Sequence, residues 1–190
     1  ICQVRFPQKL RIANEDPVAF QEAIGGRFPE LEIEQPVLIG PLGHESPNVE
    51  IQPRIFRFKD RVENYSVSLA PDFFALVSKS YDDWAGFSDH LRFVSEAFQR
   101  VYSIDYATRI GLRYVNVLTL ENSGARSLQE LISIVREELV VLLRLPEIEN
   151  PYVVKQEIRA KVDDDGDFTL RFGLKDGTQD EYILDFDRYI

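Results

Sequence analysis

Residues 71–120 read PDFFALVSKSYDDWAGFSDHLRFVSEAFQRVYSIDYATRIGLRYVNVLTL, and three periodicities follow one another along them. FFALVSKS (73–80) is almost continuously apolar, the mark of a central strand covered on both faces. Asp82 or Asp83 then offers an N-cap. Phe87, Leu91, Val94, Phe98 and Val101 step by four, three, four and three, the buried stripe of a helix over 83–102. From 107 to 120 the period falls to two. Thr108, Ile110, Leu112, Tyr114, Asn116, Leu118 and Leu120 take one side, and Arg109, Gly111, Arg113, Val115 and Val117 the other. The even side is expected in the core, so Asn116 would need partners there. Trp84 is expected to close the junction between helix and preceding strand. His90 lies off the stripe, as a partly exposed helix histidine does.

Upstream, CQVRF (2–6) alternates as a strand, with Val4 and Phe6 on one face. Asp16-Pro17 opens a short helix with Asp16 as its cap, and Gly25-Gly26 ends it. Residues 28–53, punctuated by five prolines, read as an extended crossing segment and a surface loop carrying His44-Glu45-Ser46. RIFRFK (54–59) and YSVSLA (65–70) are strands, apolar on one face and basic or serine-bearing on the other.

Downstream, Ser127-Leu-Gln-Glu130 is a capping box that predicts a helix to about Arg144, with Leu128, Leu131, Ile132, Val135, Leu139 and Leu142 inward. Residues 145–151 read as a short linker. Three strands follow. Keeping apolar faces together requires paired residue numbers with an even sum. A three-residue loop, Asp164-Asp165-Gly166, satisfies this by setting 162 against 168 and 160 against 170. It leaves Arg159 facing Arg171. Between the last two strands the same rule pairs 172 with 184 and 170 with 186, across a loop at 176–180. Arg171 then faces Asp185, and Lys175 faces Glu181.

The 190 residues carry 44% hydrophobic and 28% charged side chains, an ordinary globular mix, with a net charge of −10 spread evenly along the chain. That charge repels nucleic-acid phosphates at long range. One cysteine, Cys2, forbids an internal disulfide and fits a cytoplasmic setting. No apolar run approaches the length of a membrane span, and no signal-peptide pattern is visible. The chain begins inside an apparent strand and lacks an initiator Met, so the native start is expected upstream of residue 1.

Catalytic signatures are lacking. The acidic run Asp163–Asp167 has no calcium-loop glutamate six residues beyond Gly166, where Phe172 stands, so it reads as a hairpin turn. Two histidines and one cysteine, far apart in sequence, give no metal-ligand spacing, and there is no Gly-rich phosphate loop. No cofactor, metal or catalytic residue is therefore expected. What rises above background is a set of cations on strands: Arg5, Arg57, Lys59, Arg109, Arg113, Arg159, Lys161, Arg171 and Lys175, all opposite the apolar set. Such a face either binds an anion or is neutralised by cross-strand carboxylates. The candidate ligand-binding residues are Arg109, Arg113, Asn116, Arg159 and Arg171.

VSLAPDFFALVSKSYDDW (67–84) and RIGLRYVN (109–116) resemble the corresponding stretches of a sporadically distributed bacterial family of uncharacterised proteins. The resemblance implies a single-domain cytoplasmic protein and carries no activity, cofactor or site residue. It also implies a C-terminal helix beyond the last strand; without it, apolar sheet surface would be left for a partner to cover.

These readings predict a single α+β domain over 1–190, with halves 1–145 and 151–190 that are structurally related. A curved antiparallel sheet, or two, would carry two to three helices packed on one face. The expected function is non-enzymatic binding or regulation through a homodimer or a protein partner. The alternative is an enzyme or sensor for a phosphorylated or nucleotide-like anion held on the Arg-bearing face.

Overall fold

The computed structural model describes residues 1–35, 37–39, 49–51, 53–145, 154–163, 166–175 and 180–190. The loop of His44-Glu45-Ser46, nearly all of the 145–151 linker, the tip at Asp164-Asp165 and positions 176–179 lie outside these. The protein mixes α and β structure, strands predominate, and the chain divides into two compact units, Ile1–Ile110 and Gly111–Ile190.

The first unit contains β1 (Cys2–Arg5), α1 (Leu10–Asn14), α2 (Val18–Ile24), β2 (Glu30–Glu34), β3 (Val37–Ile39), β4 (Val49–Ile51), β5 (Ile55–Lys59), β6 (Tyr65–Ala70), β7 (Phe73–Ser78) and α3 (Trp84–Tyr102). Its strands pair antiparallel in the order β2-β5-β6-β7-β1, while β3 and β4 pair with each other. The register explains the core. Phe56, Leu69, Phe74 and Val4 line up across the sheet, as do Phe58, Val67, Leu76 and Cys2, so both rows share one face. Onto that face pack Phe20 and Ile24 of α2 and Phe87, Val94, Ala97 and Phe98 of α3, all buried. Phe98 meets Phe74 and Phe6 at ring separations of 4.8 and 4.9 Å, and Phe20 meets Phe58 edge-on. The central position of β7 and the stripe of α3 are as the sequence predicts. The Asp83 carboxylate accepts from the Gly86 amide at 2.7 Å, capping the helix.

Some expectations require correction. Residues 28–53 are more regular than their prolines suggest, because Glu30–Glu34 can lie as an outer strand along β5, pairing its acids with Arg57 and Lys59. Asp16 does not cap α2. Pro17 occupies that position, and the Asp16 carboxylate pairs with Arg54 at 2.8 Å. Trp84 does not close a junction: it is 51% exposed and stacks over Phe87, one turn along α3.

The second unit contains most of β8 (Arg109–Thr119), then α4 (Leu120–Ser123), α5 (Leu128–Ser133), α6 (Glu137–Val140), a 3₁₀ turn (Val141–Arg144), β9 (Val154–Asp163), β10 (Gly166–Leu174) and β11 (Glu181–Tyr189). The strands pair antiparallel in the order β8-β11-β10-β9. The single helix expected over 127–144 is broken after Ser133. Ile132, Ile134 and Val135 are β-branched, and the Ser133 hydroxyl donates back to the Glu130 carbonyl at 2.7 Å, both unfavourable to continuing a helix. The break shifts the phase, so Val140 and Leu143 are buried while Leu142 is exposed. Leu131, Ile132, Val135, Val140 and Leu143 form one core with Leu170, Phe172, Leu174 and Tyr182. The Tyr182 hydroxyl donates to the Leu139 carbonyl at 2.6 Å, satisfying a phenol that burial pushes up to about 12.

The β10–β11 register is the one predicted: Leu170 faces Phe186, Phe172 faces Leu184, and Arg171 faces Asp185. The β9–β10 register is not. Asp163 faces Gly166, the register then shifts between Gly166 and Asp167, and Ala160 faces Phe168 while Ile158 faces Leu170. Apolar faces still match, through a bulge rather than a three-residue loop. The observed register sets Glu157, not Arg159, opposite Arg171 and so replaces a repulsion with an attraction.

Candidate binding face of the second unit

Side chains alternate across a strand, so the residues opposite the core form one surface: Arg113, Val115 and Val117 on β8, Ile183 and Asp185 on β11, Arg171 on β10 and Glu157 on β9. All of them but Val117 line an open groove of about 540 Å³, together with Lys155 and Lys175. Its floor is partly apolar, since Val115 and Ile183 lie among the charges.

A chain of charges crosses the face. Arg113 donates to both oxygens of Asp185 at 2.7 Å, and Arg171 approaches the same carboxylate at 3.5 Å. Arg171 also donates to Glu157 at 2.7 Å, and Arg159 to the other Glu157 oxygen at 2.6 Å. Asp185 is only 4% exposed and is answered by two guanidinium groups. Its hydrogen bond raises the Arg113 pKa further. Arg171, and then Arg159, hold the Glu157 carboxyl below its usual range. Lys175 pairs with Glu181 at 2.7 Å.

Of the residues predicted to form a site, Arg113 and Arg171 come together in the groove, and Arg159 joins them through Glu157. Arg109 belongs to the first unit, where it donates to Gln3 at 3.2 Å. Asn116 sits on the core side of β8 but is exposed, and its amide reaches the Leu184 carbonyl at 3.5 Å. It therefore carries no burial cost, contrary to the expectation from alternation. In the first unit, Arg57 pairs with Glu34, Lys59 with Glu32, and Lys79 with Glu63, around a smaller depression of about 270 Å³.

Sequence reasoning placed Asp185 on this face, opposite Arg171, but missed Glu157 as a member and Gly173 as the point where the β9 backbone comes close. Gly173 has φ of +142°, and a Cβ there would overlap the Val154 carbonyl of β9. The available signal was a lone glycine inside a strand pattern. Among the described residues, no group of three or more His, Cys, Asp or Glu is placed to hold a metal, and no helix is long and apolar enough to cross a membrane. His90 packs its ring on Tyr65 at 4.2 Å and beside Phe28, with a buried Nδ1 that has no partner.

No family model, curated protein or solved structure matches the chain.

Proposed function

We propose that the chain is a non-enzymatic binding or regulatory protein, working in the cytoplasm, whose second unit associates with another polypeptide. The observation that carries this reading is β9. It is ten residues long, stands at the outside of its unit's strand order with β10 as its hydrogen-bonded neighbour among the described residues, and is exposed from Glu157 to Val162. Ile158 and Val162 remain 48% and 51% exposed although they continue the apolar face of the sheet. An exposed outer strand with apolar side chains is a template for another chain.

The charge ladder weighs against the alternative, an enzyme or sensor for a phosphorylated or nucleotide-like ligand. Asp185 and Glu157 already neutralise the guanidinium groups such a ligand would need, and they would repel it.

A photo-crosslinking amino acid at position 158, introduced in living cells, tests the reading against the same group at Val62, an exposed position of the first unit. A discrete protein adduct from 158 and none from 62 is expected. No adduct from 158 would overturn it. So would thermal stabilisation by nucleotides or sugar phosphates that disappears in Arg113→Ala.

A further inference from the structure

We infer that the polypeptide β9 receives is the β9 strand of a second copy of this chain, added antiparallel about a two-fold axis at Ile158. This rests on the reading of β9 as a protein-binding strand and names the partner. A two-fold pair of antiparallel strands obeys one rule: residue numbers facing each other have a constant sum, and that sum must be even to keep like faces together.

Few registers survive this rule. An axis at Glu157 sets Glu157 against its own copy and Arg159 against Lys155. An axis at Ala160 sets Arg159 against Lys161. An axis at Arg159 sets two guanidinium groups face to face and leaves Ile158 opposite Ala160. With the axis at Ile158, Ile158 meets its copy, Val162 meets Val154, and Arg159 meets Glu157 twice. Lys155 and Lys161 then face each other at the two ends of the junction, where water screens them. An axis at Gln156 would also set Glu157 against Lys155 and Ile158 against Val154, but it pairs only residues 154–158 of β9, whereas the axis at Ile158 matches the apolar and central charged residues along 154–162.

The outer strand of the first unit makes the contrast. On β2, Glu30, Glu32 and Glu34 share a face. Every face-matched antiparallel pairing of β2 with its copy sets glutamate against glutamate, which blocks that edge. β9 mixes signs instead, with Glu157 between Lys155 and Arg159, and carries apolar residues on its other face. A junction of one strand from each copy is small, so dissociation constants of about 1–100 µM are expected.

The test uses the full chain with Ile158→Cys. Cys2 is buried, and burial raises its pKa, so it gives little background oxidation. Light scattering at about 500 µM should give a mean mass about 1.7 to 2 times 22.0 kDa, and mild oxidation should yield a disulfide-linked dimer through position 158, faster than through Arg159→Cys. Ile158→Lys should return the mass to 22.0 kDa with an unchanged melting temperature, because the side chain is half exposed. A monomer whose photo-crosslinker at 158 still captures a different polypeptide would overturn self-pairing while leaving the binding reading intact. A monomer with no adduct would overturn both. A dimer whose Ile158→Cys form does not cross-link, or cross-links more slowly than the Arg159→Cys form, would overturn the register and the surface together.

Discussion

Arg113 grips Asp185 through two parallel hydrogen bonds, Nε to Oδ1 and Nη2 to Oδ2, both 2.7 Å long. The two partners differ in environment: Asp185 is nearly buried, while the Arg113 side chain is 44% exposed. Removing the arginine strands a buried carboxylate, whose remaining cation, Arg171, is 3.5 Å away. Arg113→Ala should therefore cost about 1–2 kcal/mol in denaturant unfolding. Arg159, 72% exposed and paired with an exposed glutamate, should leave the midpoint unchanged when truncated to Ala. Equal effects of the two substitutions would remove Asp185 from its place as the anchor of the face.

Gly173 should tolerate no side chain. Its φ of +142° is unfavourable for any L-residue, and an added Cβ would run into the Val154 backbone, which has no flexible end to swing aside. Gly173→Ala should cost about 2–4 kcal/mol, and hydrogen exchange should show the loss concentrated in β9 and β10. A melting temperature equal to that of the parent protein would contradict this local geometry.

His90 predicts a pH dependence with a definite sign. Burial first, and then Arg27, lowers its pKa from 6.5, while Asp89 and Asp60 act in the opposite direction. The unfolded chain thus binds a proton at a higher pH than the folded one. Stability from neutral His90 is fully present above about pH 6.5 and is lost as pH falls toward the folded value. His90→Phe keeps the packing on Tyr65 and Phe28 and removes the orphaned nitrogen. Urea midpoints of the variant should fall less between about pH 7 and pH 5 than those of the parent. Parallel slopes would show that His90 is as hydrated when folded as when unfolded.

Local periodicity carried much of this structure. The stripe of α3, the cap at Asp83, the faces of β5 and β6, and the β10–β11 register with Arg171 on Asp185 are dictated by side-chain alternation and helix pitch. The candidate face was half legible on the same grounds, because Arg113 and Arg171 had to lie opposite the apolar rows.

Tertiary structure decided the rest. Whether a segment rich in β-branched residues such as Ile132–Val135 stays helical depends on what it packs against, and here the broken helix buries Val140 and Leu143 and leaves Leu142 exposed. The β9–β10 register turned on a bulge beside Gly166 that local pattern allows but does not demand. Asn116 and Trp84 are exposed because none of the described elements covers them, a fact no one-dimensional pattern contains. Alternation told which side of each strand a residue takes. Only the folded neighbours settled which carboxylate answers which arginine, since ion pairing depends on distances between strands far apart in sequence.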